Sequence, residues 1–144
     1  MRILALLILF STTAFADEIK FEDYPQNVIF KGKPAKVDFS SSPSYKTFVT
    51  RLTSGAASGP NFAGSFTIVS WGCGSNCENI TIISAKNGKI LGSLVSCGDH
   101  AFKLNSNLLI VNPPGSYLAF APGCVTEYYQ LSVTKLEKII LKNG

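Results

Sequence analysis

Long apolar runs, blocks of like charge and histidine are what this chain has least of. Only 15% of its 144 residues are charged, and it holds one histidine, His100. Past the first ten residues no stretch nears the roughly 20 apolar residues that a bilayer-crossing helix needs, so the mature chain is not expected to span a membrane. The formal charge is +4; Arg2 lies in the N-terminal segment, and without it the balance is +3. Lys31, Lys33 and Lys36 form the one local group of cations. Spread so thinly, the excess lacks the basic stripe of a nucleic-acid-binding surface and reads as solvated lysine. No Gly-x-Ser-x-Gly elbow occurs, which removes one hydrolase nucleophile signature. Neither a fixed-period repeat, nor a low-complexity tract, nor a linker divides the chain, so a single domain is expected.

What is there begins with an export pattern. Arg2 supplies a positive start, Ile3 to Phe10 an apolar run, and Ala14-Phe15-Ala16 a small-residue cleavage site. Those three elements in that order are a secretory signal. Cleavage after Ala16 leaves 17–144 as the mature chain, periplasmic or secreted, and no cysteine follows the site to carry a lipid anchor. The four cysteines, Cys73, Cys77, Cys97 and Cys124, then read as two disulfides in an oxidising compartment.

Along the mature chain, 17–42 is an irregular lead-in whose Phe21, Tyr24 and Pro25 dock on the core, with short strands at 28–30 and 35–39. Tyr45, Phe48, Val49 and Leu52 fall at i, i+3, i+4 and i+7, one face of a helix, expected to end near Ser54-Gly55. From Phe62 the period becomes that of strands: 64–71, 78–84, 89–95, 108–112, 116–120, 126–133 and 136–141, the last with a short helix at 136–142 as alternative. Asn87-Gly88 is a strong hairpin signal between the second and third, and Tyr128 and Tyr129 should point to opposite faces. The expected fold class is α+β: one antiparallel meander of six to seven strands, with one helix packed across a face. The domain proper is 43–144, together with the lead-in.

The most distinctive stretch is Gly59-Pro-Asn-Phe-Ala-Gly64, a short strand, then Trp71-Gly-Cys-Gly-Ser-Asn-Cys77. It resembles a family of small exported bacterial proteins of unassigned function that carry the same two segments. Fainter echoes are Phe21, Tyr24-Pro25, Asn87-Gly88 and Leu108 to Val111. Relatives of that kind have His and Tyr where this chain has Ser65 and Phe66. The resemblance implies an exported domain and no activity.

As scaffold, Asn61 is placed to cap a turn with its amide, and Gly72 and Gly74 permit positive φ beside Cys73. The preferred pairing is Cys73–Cys77, clipping a turn, with Cys97–Cys124 tying distant strands; 73–97 with 77–124 is the alternative, and spacing does not decide between them. A redox role for Cys73–Cys77 is disfavoured, because thiol oxidoreductases place two residues between the cysteines at a helix start. Cys73, Cys77, Cys97 and His100 also have the composition of a zinc set, yet an oxidising compartment opposes it and Cys124 would be left odd. No metal or other cofactor is expected.

His100, next to Asp99, is expected in a loop; a triad would need Ser75, Ser96 or Ser116 to converge on it. Glu78, Asp99 and Glu127 are the acids near turns in the strand-rich region. Trp71, Tyr117, Tyr128 and Tyr129, with Asn61 and His100, make up the candidate binding surface, since aromatic platforms with polar neighbours suit glycan and peptide recognition. The leading expectation is a non-catalytic binding or inhibitor-type module acting on an envelope component. The alternatives are a small hydrolase or a thiol- or metal-dependent enzyme built on His100 and the cysteines, and an adhesive role through a sheet edge.

Overall fold

A computed structural model describes residues 18–117 and 121–141. The expected signal segment 1–16 lies outside the described residues, as does 118–120 of the strand expected at 116–120.

The lead-in contains a 3-10 turn at Phe21–Asp23 and forms no strand at 28–30 or 35–39, where only Asp38 makes an isolated bridge, to Lys89. A 3-10 turn at Pro43–Phe48 runs into the helix α1, Val49–Ala57. Among the described residues seven strands follow: β1 Phe66–Gly74, β2 Cys77–Ser84, β3 Ile90–Ser96, β4 His100–Phe102, β5 Leu108–Val111, β6 Glu127–Ser132 and β7 Lys135–Lys138.

These strands make two sheets rather than one meander. β1-β2-β3 is one and β4-β5-β6-β7 the other, each antiparallel throughout. The reason lies in β2. Ile80 to Ser84 is buried at every position, which a strand achieves only when both faces of its sheet are covered. Ile80 and Ile82 join Phe62, Phe66, Ile68, Leu109, Val111 and Leu131 in the core between the sheets. On the other face, Ile83 and Ile90 pack with Leu52 and Ala56 of α1. The molecule is therefore layered as helix, three-stranded sheet, four-stranded sheet, and the chain changes layer at Cys97–Asp99.

The helix starts out of phase with a simple heptad reading. Tyr45 and Phe48 lie on a 3-10 turn of three residues per turn, after which Leu52 and Ala56 continue at α spacing. Val49 is thereby rotated outward, 47% exposed. Nor does the helix stop at Ser54-Gly55. Gly55 lies close against β1, where an added Cβ would lie 2.5 Å from a Val69 methyl.

The β2–β3 hairpin forms around Asn87-Gly88, closed by Ser84 and Lys89. The expected strand at 116–120 is not seen at Ser116 and Tyr117, and β7 ends at Lys138 without a C-terminal helix over 139–141.

Candidate functional site

Six chain segments end together at one pole of the sandwich: the β1–β2 turn, the start of β2, the β3–β4 connection, the start of β4, the end of β5 and the approach to β6. Register fixes this, because Glu78 pairs with Ser96, His100 with Val111, and Val111 with Glu127. Both disulfides lie at this pole.

The β1–β2 turn is its outermost part. Gly74 pairs with Cys77 around the two-residue loop Ser75-Asn76, while Cys73 is the extra residue of a bulge between Gly72 and Gly74. Such a turn needs left-handed backbone, supplied by Gly74 at φ 130° and Asn76 at φ 52°; Gly72 does not adopt positive φ. The bulge brings Cys73 beside its partner, and the Cys73–Cys77 disulfide closes the loop across a Cα–Cα distance of 5.1 Å. Residues 72–76 are all exposed. At the base of the turn Trp71 leans on Phe48, with ring centroids 4.9 Å apart.

Inside the pole is a polar knot. His100 begins β4 rather than lying in a loop, and its Nδ1 is 3.1 Å from Glu78 Oε2. Its side chain is 10% exposed and that of Glu78 20%. A carboxylate only accepts, so Nδ1 donates. Glu78 Oε2 also accepts from Ser96 Oγ at 3.3 Å, and Ser96 Oγ accepts from Gly98 N–H at 3.2 Å. His100 stacks on Phe102 at 5.5 Å between centroids. The partner of the histidine is thus Glu78, 22 residues away in sequence, and not its neighbour Asp99, which is exposed. The carboxylate occupies the centre of the Ser96–Glu78–His100 row. A hydrolytic triad needs the imidazole between nucleophile and acid, so this row fastens β2 to β4 and does not activate Ser96.

Cys97 bonds Cys124, the second disulfide. With all four sulfurs paired, Cys73, Cys77 and Cys97 present no thiolates beside His100, either as nucleophile or as metal ligands. Asn112 braces this bond: its Oδ1 accepts from Cys97 N–H at 2.7 Å and its Nδ2 donates to Val125 O at 3.0 Å. Sequence reasoning passed over both Glu78 as a histidine partner and Asn112. The one available hint for Asn112 was an asparagine ending an apolar strand just before Pro113-Pro114.

The other aromatic candidates are not gathered into one groove. Trp71 belongs to the helix-side cluster and Tyr129 to the core between the sheets. Tyr128 points from the opposite face of β6, as strand alternation requires. Tyr117 is 97% exposed and edges a cleft of about 180 Å³ with Cys97, Gly98, Asp99, Asn112 and Ser116. The Tyr129 hydroxyl donates to Glu127 at 2.8 Å; burial first, and that carboxylate second, push its pKa up to about 12. Lys138 bonds Glu127 and holds its carboxyl below the usual range. Asn61 is structural: its amide donates to Ile68 O at 3.0 Å and accepts from Ile68 N–H at 2.7 Å, pinning the Gly59–Gly64 segment to β1. Within that segment Gly64, at φ 72°, lies so close to Val28 that a Cβ would meet its carbonyl oxygen at 2.1 Å.

No family model, curated protein or solved structure matches this chain. No helix among the described residues is long and apolar enough to cross a membrane.

Proposed function

We propose that this is an exported, non-catalytic binding module of inhibitor type, acting on a protein or other component of the cell envelope, with the β1–β2 turn as its presented loop. One observation carries the reading: residues 72–76 are all exposed, yet they are fixed by a two-residue turn, a bulge and a disulfide. A loop held in one shape before contact loses little conformational freedom on binding, which is how small rigid scaffolds gain affinity. Disulfides persist in oxidising compartments, which fits the export pattern of residues 1–16 and the resemblance to exported proteins with the Trp71–Cys77 segment. The knot of His100 and Glu78 supports the loop from behind, since Glu78 directly follows Cys77. Tyr117 and Asp99 at the neighbouring cleft extend the same surface.

The test uses mature, oxidised protein immobilised against an envelope extract. Expected is stoichiometric retention of one component, with Ser75→Arg and Asn76→Gly each lowering retention at least tenfold and Val133→Arg, on the exposed β6–β7 turn, leaving it unchanged. Retention indifferent to the loop substitutions, or turnover of a substrate that His100→Ala abolishes, would overturn the reading.

A further inference from the structure

The fold assembles a charge group that is split in the sequence. The lead-in runs alongside the β2–β3 turn: Ala35 N–H donates to Ala85 O at 2.9 Å, and Asp38 N–H donates to Gly88 O at 2.8 Å. That contact is close enough for a Cβ on Gly88 to fall 1.8 Å from Lys36 O. Lys86 and Lys89 are thereby added to Lys31, Lys33 and Lys36, and all five are exposed.

Part of the positive charge elsewhere on the molecule is neutralised, although Lys20, Lys46 and Arg51 stand without an ion-pair partner among the described residues. Lys103, Lys135 and Lys138 each have a carboxylate partner, Glu22, Glu137 and Glu127. None of the five has one within 4 Å among the described residues. The one acid in their midst, Asp38, is turned to the hydroxyls and backbone of Ser40 and Ser41, and bonding from Ser40 holds its carboxyl below the usual range. Lysines left unpaired around one edge raise a local positive potential that paired ones do not.

Between Lys33 and Lys36 the surface opens into a recess of about 210 Å³ lined by Pro34, Val37, Ala56 and Ala57. A cationic rim around an apolar hollow fits an amphiphile with a negative head better than a wholly hydrophilic polyanion. We propose that this face docks on an anionic lipid bilayer, the lysines contacting headgroup phosphates. β2 separates the β2–β3 turn from the β1–β2 turn by roughly 25 Å at the usual strand rise. Docked this way, the disulfide loop points away from the membrane. The lipid contact does not depend on what that loop binds.

The experiment is flotation of the mature, oxidised protein with phosphatidylglycerol-containing vesicles and with pure phosphatidylcholine vesicles. Expected is binding to the acidic vesicles alone, weakening steeply as salt rises. Each lysine near an anionic surface is worth about fivefold in affinity, so Lys33→Gln, Lys36→Gln, Lys86→Gln and Lys89→Gln combined should lower it several-hundredfold. Lys103→Gln with Lys135→Gln should change it by less than about twofold. Thermal unfolding confirms that each variant is folded; Lys86→Glu with Lys89→Glu, confined to the turn, repeats the test should the combined variant fail to fold. Equal binding to both vesicles, no binding to either, or equal loss in the paired-lysine control would overturn the proposal. So would retention on polyphosphate without vesicle binding, which would assign the face to a soluble polyanion.

Discussion

Tyr129 shows how one side chain can carry both packing and pH dependence. Its ring fills space between the sheets while its hydroxyl reaches Glu127. Ionising the phenol there places a new charge beside a carboxylate in a partly buried site, so the folded state holds the proton to about pH 12, against about 10 for the unfolded chain. Between those values the unfolded state binds fewer protons than the folded one, and stability falls as pH rises. The contribution is whole below about pH 10 and lost through about pH 12. Urea midpoints measured across that window should decline for the wild type. In Tyr129→Phe the part of the decline due to this group should vanish, and phenolate absorbance should lose its last-titrating component.

At the scale of elements, the contact of α1 with β1 is decided by Gly55. An alanine there would favour the helix by about 1 kcal/mol, but its Cβ would sit between both methyls of Val69, at 2.5 and 2.7 Å. A branched side chain has no rotamer that clears both. Overpacking of this kind costs about 1–3 kcal/mol, so Gly55→Ala should be net destabilising in a denaturant titration, and Val69→Ala in the same chain should recover most of the loss. The sequence made these elements partly legible. The Asn87-Gly88 hairpin, the alternation of Tyr128 and Tyr129 and the strands β1 to β3 follow from local chemistry, whereas spacing left the disulfide pairing open between two alternatives. The layer change was harder to see. Ile80-Thr81-Ile82-Ile83, buried throughout, is the mark of a strand covered on both sides, but a β-branched run of this kind also suits one strand of a single sheet under a helix. β4 was missed because three residues, His100 to Phe102, give no period to read. Val49 was placed inward because a 3-10 entry shifts the phase of everything after it. At the candidate site the cysteines were readable from composition and spacing. Glu78 as partner of His100 was not, because that contact joins strands of different sheets and no local rule links residues so far apart.

For the whole molecule, the proposed function divides the work of the two disulfides between holding the fold and presenting the loop. Cys97–Cys124 spans 27 residues, joining the layer change after β3 to the approach to β6. Loss of its loop-closure constraint costs about 3–4 kcal/mol in the chain-entropy model. Cys73–Cys77 spans four residues, for which the same model gives about 2 kcal/mol, and it lies on a turn whose strands are already paired by their own ladder. Cys97→Ala with Cys124→Ala should therefore lower the unfolding free energy the more, measured by urea at neutral pH. Cys73→Ala with Cys77→Ala should leave a folded protein, less stable by no more than about 2 kcal/mol, and on the proposed function it should lose retention on the envelope extract, because the 72–76 loop is no longer fixed. Access separates the two bonds as well: Cys73 is exposed while Cys124 is buried. Graded reduction by a small dithiol, read by mass after thiol alkylation, should pass through a species with two alkylated cysteines, Cys73 and Cys77. In that species retention on the envelope extract should already be lost while the protein stays folded, with only the smaller of the two stability losses, about 2 kcal/mol. Simultaneous loss of both properties would mean that the loop and the fold are one cooperative unit, and the presented-loop reading would fail with it.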